Sequence, residues 1–263
     1  MPDSKLTVRA VSKSFAAPGQ GKLLALDNVS LTVGEGEFVS LIGPSGSGKS
    51  TLLDMVAGLS APDEGELLLA GRSIAGSRGH VSYMPQSDLL FPWRTVLDNV
   101  IVPLQLRGVS TKEARRQAAA LLPTFGLEKF ADSYPYMLSG GMKQRAAFLR
   151  TYLCQRDLML LDEPFGKLDA LTKIQMQQWL LEIWQCFQHS VLFITHDIDE
   201  AILLSDRIYL LSPRPGRVLA ELAVDLPRPR SPRMATEGAF IKMKQQLYHR
   251  LQAGLLEQRG EAQ

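Results

Sequence analysis

The octapeptide Gly43-Pro44-Ser45-Gly46-Ser47-Gly48-Lys49-Ser50, with Thr51 behind it, constrains this chain more than any other stretch. It has the form G-x-x-x-x-G-K-[ST], and its flanks have the periodicities that motif requires. Ahead of it, Phe38-Val39-Ser40-Leu41-Ile42 is short, apolar and β-branched, the pattern of a buried strand. Behind it, the stretch from Thr51 to Leu59 carries apolar residues at helical spacing and no proline. Strand, glycine-rich turn and helix in that order aim backbone N–H groups and a positive helix end at one point. That arrangement suits a polyphosphate. Lys49 would reach the β- and γ-phosphates, and the Ser50 hydroxyl would ligate Mg²⁺. The sequence therefore predicts a site for a nucleoside triphosphate.

A second constellation supplies chemistry. Leu158-Met159-Leu160-Leu161 reads as a buried strand that delivers Asp162 and Glu163 at its tip. The pair either caps a turn or divides two tasks. In the second reading Asp162 holds Mg²⁺ and Glu163 orients and polarises the attacking water. His196 ends the next predicted strand, Ser190-Val191-Leu192-Phe193-Ile194-Thr195. It either caps the following helix or contacts the γ-phosphate and the same water. Next to the phosphate loop, in this chain order, the hydrolytic reading outweighs the capping one. Phe15 is open in the same way: it is a core residue or an aromatic platform for a base, where stacking is worth roughly 1–3 kcal/mol.

Composition narrows the class. A length of 263 residues fits one large α/β domain or a core with an insertion. A net charge of +2 gives no electrostatic case for nucleic acid as a partner. Cys154 and Cys186 form no metal pattern and read as reduced, packed thiols. No leader-like apolar segment opens the sequence, and no run of roughly eighteen apolar residues occurs, so any work at a membrane is expected through docking.

Strands alternating with helices predict a mostly parallel sheet. Residues 1–86 and 156–226 read as its nucleotide-binding core, with antiparallel strands near the N-terminus. Residues 87–155 have few β-branched runs and predicted helices at 95–107, 111–125 and 140–153, a helical insertion. Helices are also predicted at about 170–187, 198–204 and 237–257. Residues 227–263 read as a linker and terminal helix, with the basic stretch 228–233 as a solvated linker.

Leu138-Ser139-Gly140-Gly141-Met142-Lys143-Gln144-Arg145 is, by the bare rules, an N-cap with a flexible entry or a second phosphate-binding helix start. It resembles the signature of the ATP-binding-cassette (ABC) family. Phe15 matches that family's adenine-stacking aromatic, Gln86 its Q-loop glutamine, Asp169 its D-loop aspartate and His196 its switch histidine. The resemblance covers about residues 5 to 226. It implies a P-loop NTPase core with an N-terminal antiparallel β subdomain and an inserted α-helical subdomain. It also implies ATP and Mg²⁺ as cofactors, with Gln86 as a further Mg²⁺ ligand, and Glu163, His196 and Lys49 as catalytic residues. Two copies would pack head to tail, each ATP lying between one copy's phosphate loop and the other's Ser139-Gly140-Gly141. Two departures stand out. Phe15 replaces the commoner Tyr and keeps the ring, whereas Lys167 stands where Ala or Ser is usual, next to the dimer interface.

Phe91-Pro92-Trp93-Arg94-Thr95-Val96 and Ser212-Pro213-Arg214-Pro215-Gly216-Arg217 are similar to phrases of the nitrate/sulfonate/taurine importer branch. That implies a peripheral subunit on the cytoplasmic face of the membrane, docked through the surface near Gln86 and Phe91–Arg94 on a separate permease, with a substrate-binding protein beyond it. A cassette ATPase in a DNA-repair or translation complex is the alternative. Such chains typically carry two cassettes or a long coiled-coil insertion, and neither is found in these 263 residues.

Overall fold

The structure is a computed structural model that describes residues 4–17 and 21–261. Two sheets and a set of helices make up the fold. The first sheet is antiparallel in the order β2-β1-β4-β5, from β1 (Ser4–Ala17), β2 (Gly21–Gly34), β4 (Glu64–Leu69) and β5 (Arg72–Ser73). The second runs β10-β9-β3-β8-β7-β6, from β3 (Phe38–Ile42), β6 (Ser82–Met84), β7 (Leu158–Asp162), β8 (Ser190–Thr195), β9 (Arg207–Leu211) and β10 (Val218–Ala223). All its pairings are parallel except that of β10 with β9.

Strands β3, β7 and β8 are buried along their whole length, which explains their unbroken apolar sequences. Their side chains alternate between two cores. Phe38, Ile42, Met159, Leu161, Val191 and Phe193 enter one, on the side of the helices α5 (Gly140–Tyr152), α6 (Ala170–Phe187) and α7 (Ile198–Leu204). Val39, Leu41, Leu158, Leu160, Leu192 and Ile194 enter the other, shared with the antiparallel sheet and with α1 (Lys49–Val56). Helix α1 is thereby wedged between the sheets through Leu52, Leu53, Met55 and Val56. Each such side chain contributes roughly 1.5–3 kcal/mol on burial, so the loop that opens α1 is held by a rigid layer on each side.

The region after β6 is helical, with α2 (Val96–Val100), α3 (Val102–Leu106), α4 (Thr111–Leu121) and then α5. The single helix expected at 95–107 is divided at Ile101, because Pro103 lacks the N–H that would bond back to Asn99 and continue the ladder. The last helix, α8 (Gly238–Glu261), outruns the expected 237–257 at its end. Among the described residues no helix is long and apolar enough to cross a membrane.

Two expectations are overturned. Residues 228–233 are no solvated linker. The Arg230 side chain is buried, with its guanidinium donating to the carbonyls of Ile202, Ser205, Val224 and Leu226. Burial, then the charge of Arg228, pulls Arg230 down to about 10. Arg228 lies 4.1 Å from the Trp184 ring centroid and 2.7 Å from Asp206. Both arginines point inward, where they satisfy carbonyls at the C-terminal end of α7. Cys186 is exposed rather than packed, while Cys154 is half-buried and both are free thiols.

Candidate nucleotide-binding and hydrolytic site

The carboxyl ends of the parallel strands lie in one line. Ile42 pairs with Thr195, Ile194 with Asp162, and Leu161 with Met84, so four strand tips open onto a common edge. Ligands of open α/β sheets bind at such an edge. The phosphate loop leaves β3 there and turns into α1 through Gly48, at φ +89°, a backbone state that L side chains rarely adopt. Lys49 is buried, and its ammonium donates to the carbonyls of Gly43 (2.8 Å) and Pro44 (2.9 Å) and to Ser47 Oγ (3.4 Å). The loop is thus curled around its own lysine. Burial lowers the Lys49 pKa, and the nearby Glu163 and Asp162 carboxylates oppose that shift.

Asp162, at the tip of β7, accepts a hydrogen bond from Ser50 Oγ at 3.4 Å. Burial raises its pKa, and the charges of Glu163 and Asp54 push the same way. Glu163 follows in a left-handed conformation, φ 43°, with its N–H on the Ile194 carbonyl at 3.0 Å. Its Oε2 lies 3.3 Å from Gln86 Nε2 and 3.2 Å from His196 Nδ1. Residues after three different strands therefore converge on one carboxylate oxygen. Asp197, not His196, caps α7, accepting from the N–H groups of Asp199 and Glu200. This leaves the His196 ring free to face Glu163.

A cavity of about 320 Å³ opens over the loop, lined by Phe15, Ser45, Gly46, Gly48, Lys49, Ser50, Thr51, Gln86 and Glu163. Phe15, 44% exposed, is no core residue; it pairs with Leu23 across the β1–β2 hairpin and stands at the cavity with that leucine and Ala25. The cavity combines a flat aromatic surface, a cradle of loop backbone, a cation and a carboxylate. Those are the groups needed to stack a base, seat phosphates and activate a water. Sequence reasoning missed Leu23, Ala25 and Arg214, which also line it. The first two carried no signal beyond strand alternation, and Arg214 lay within a phrase noted only for its resemblance.

The signature residues are elsewhere. Ser139 caps α5, its Oγ accepting from the Met142 N–H at 3.3 Å, and neither it, Gly140, Gly141 nor Asp169 lines this cavity. Ser139 and Gly140 are exposed. Gly141 packs so closely on α6 that a Cβ there would meet Thr172 Cγ2 at 3.0 Å. Asp169 caps α6 by accepting from the Thr172 N–H at 3.0 Å. The unusual Lys167 donates to Ser87 Oγ at 2.7 Å, which ties the D-loop to the residue after Gln86 within one chain.

Comparison with known proteins decides what this assembly is. A family model described as ABC transporter matches residues 26–166, more than half of the chain. The chain belongs to that family. It is an ABC-type ATPase. The nitrate import ATP-binding protein NrtD of Synechocystis is 45% identical over 208 residues, 79% of this chain and 78% of the relative. The formylaminopyrimidine import ATP-binding protein ThiZ of Halalkalibacterium halodurans is 40% identical over 255 residues, 96% and 97% of the two chains. Among solved structures, the dimeric post-hydrolysis state of the cassette MJ0796 bound to ADP and Pi superposes with a TM-score of 0.73 at 33% identity, covering 83% of this chain and 98% of the other.

Proposed function

We propose that this cassette is the ATP-hydrolysing subunit of an importer and works as a head-to-tail pair on a separate membrane permease. One observation carries the reading. The cavity gathers Phe15, Lys49, Ser50, Gln86 and Glu163, yet the exposed Ser139 and Gly140 lie outside it. A cavity so composed holds one half of a site, and a signature from a second copy closes it over ATP. The dimeric MJ0796 structure and the import function in the relatives' names support the same reading.

Within the site, Phe15 stacks the adenine, and Gly43, Pro44, Ser45, Gly46, Ser47, Gly48 and Thr51 cradle the phosphates with Lys49. Glu163 orients the water, and His196 contacts both that water and the γ-phosphate. Mg²⁺ fits the donors present. Ser50, Asp162 and Gln86 offer hard oxygen ligands few enough to leave room for phosphates and water, and Asp162 sits in an acidic surround that a divalent cation would relieve. When bound, the ion neutralises charge on the phosphates. Loss of the Lys49 ammonium is expected to weaken ATP binding at least tenfold in Lys49→Ala, read by equilibrium dialysis; unchanged affinity would contradict the cradle assignment.

The permease docks on the surface after Gln86. Trp93 is 71% exposed, and Phe91 lies against it with ring centroids 5.5 Å apart. Leu89 is exposed beside them. Apolar rings held in contact with water are the anchors on which interfaces depend. Affinity purification of the tagged chain from gently solubilised host membranes is expected to bring down a multi-span permease, and Trp93→Ala to reduce its yield severalfold. Recovery of soluble partners alone would sink the importer reading. The cargo we infer is a small anion such as nitrate, a sulfonate or taurine, and the resemblance to NrtD supports it.

A further inference from the structure

We propose that Arg214 is a nucleotide-binding residue that adds a second cation to the phosphate chain of bound ATP, an inference that rests on the cavity reading above. The loop joining β9 to β10 is tied to β2 and passes close beside the phosphate loop, where a Cβ on Gly216 would lie 2.1 Å from the Ser47 carbonyl oxygen. The Gly216 N–H donates to the Ala25 carbonyl at 2.9 Å, and the Asp27 N–H donates to the Gly216 carbonyl at 3.0 Å. Ser212 Oγ donates to the Pro215 carbonyl and accepts from the Arg217 N–H, each at 2.9 Å. Arg217 pairs with Asp27 at 2.6 Å. Every polar side chain of this loop except one is thus employed in holding its shape.

The exception is Arg214. Among the described residues its guanidinium has no hydrogen-bond or ion-pair partner, yet it lines the cavity with Phe15, Lys49 and Glu163. Its Nη2 lies 3.5 Å from the position a Cβ would take on Gly46, at the turn of the phosphate loop. The charges around it explain what it can bind. Lys49 already shares its ammonium among loop oxygens, and Glu163 faces the same space with a carboxylate. A triphosphate entering there adds several negative charges against one engaged cation. An unpartnered guanidinium on a fixed loop, with five donors and a permanent charge, meets that deficit, and its planar fork matches two phosphate oxygens at once. The sequence phrase Ser212-Pro213-Arg214-Pro215-Gly216-Arg217 then has a physical purpose: it braces one arginine over the phosphate loop with its neighbours' backbone.

The test is nucleotide affinity of the full chain with Mg²⁺, measured by calorimetry for ATP and ADP and by competition for adenosine. R214A is expected to raise the dissociation constants of ATP and ADP about tenfold and leave adenosine unchanged, since charge-assisted contacts to phosphate are lost and contacts to the base are not. R214K is expected to recover part of the loss, and R72A, which removes an exposed arginine of β5 outside the cavity, to bind ATP as the wild type does. Wild-type ATP affinity in R214A overturns the inference. So does an equal loss for adenosine, which would put the contact on the base, or an equal loss in R72A, which would make it a matter of overall charge. Failure of the wild-type chain itself to bind ATP would instead overturn the cavity reading on which this one stands.

Discussion

Glu163→Gln is expected to bind ATP with undiminished affinity and to hydrolyse it at least a hundredfold more slowly than the wild type. The geometry separates the two properties. Glu163 Oε2 is the point on which Gln86 Nε2 and His196 Nδ1 converge, at 3.3 and 3.2 Å, so the substitution removes the proton-accepting oxygen while keeping the side chain's length and shape. A positioned general base contributes typically 10²–10⁴-fold, which sets the size of the loss. Binding should not suffer, because the lost charge is one that repels phosphate. The Glu163 carboxylate also pushes the Asp162 pKa up, second to burial among the raising influences, so its neutralisation leaves Asp162 more readily ionised and better suited to a cation. Calorimetry with ATP and a phosphate-release assay check the two halves. Turnover within a few-fold of wild type would remove Glu163 from this role. Retained binding with lost turnover should also trap the ATP-bound pair, visible by light scattering as a doubled mass on addition of ATP.

Most of this site was legible because its parts are local. A phosphate loop is built from consecutive residues, so strand, glycines, lysine and helix are all present in one short window of sequence. Asp162 and Glu163 end a strand whose apolar run announces burial on both faces, and the parallel register then brings Gln86 and His196 to the same edge. The chain order of the motifs stood in for the topology. What the sequence could not yield depends on long-range contacts. Arg214 reaches the cavity only because β9 lies beside β3 in the sheet and its loop folds back on Ala25 and Asp27. Arg230 looks solvated beside prolines in a basic run, yet its guanidinium finds carbonyls at residues 202, 205, 224 and 226. Hydrophobic patterning carries no information about a charged side chain whose partners are distant backbone carbonyls. Lys167 is intermediate. Its departure from the family pattern is visible in the sequence, while its contact with Ser87 is visible only in the fold.

Gly216→Ala tests the other half of the site's construction, the bracing of the phosphate loop from behind. Gly216 donates to Ala25 and accepts from Asp27, which fixes its backbone, and a Cβ there would lie 2.1 Å from the Ser47 carbonyl oxygen and 3.0 Å from Leu26 Cδ2. The first of these atoms is backbone of the phosphate loop, so no side-chain rotation relieves the clash. Either the β9–β10 loop loses its two hydrogen bonds or the phosphate loop shifts away from the geometry that curls it around Lys49. Overpacking of this kind costs about 1–3 kcal/mol, and a clash with fixed backbone belongs at or above the upper end. For a domain of this size that corresponds to a fall in Tm of roughly 6–12 °C. A displaced cradle should also cost at least tenfold in ATP affinity, so both thermal melting and calorimetry are expected to register the change. Gly238→Ala is the matched control, since a Cβ there meets nothing within 4 Å. Glycine-to-alanine replacement at a compatible site adds roughly 0.4–1 kcal/mol of stability, so that variant should melt at or slightly above the wild type and bind ATP equally well. Were Gly216→Ala to behave like Gly238→Ala, the two loops would be independent, and the rigid placement of Arg214 above the phosphates would lose its structural basis.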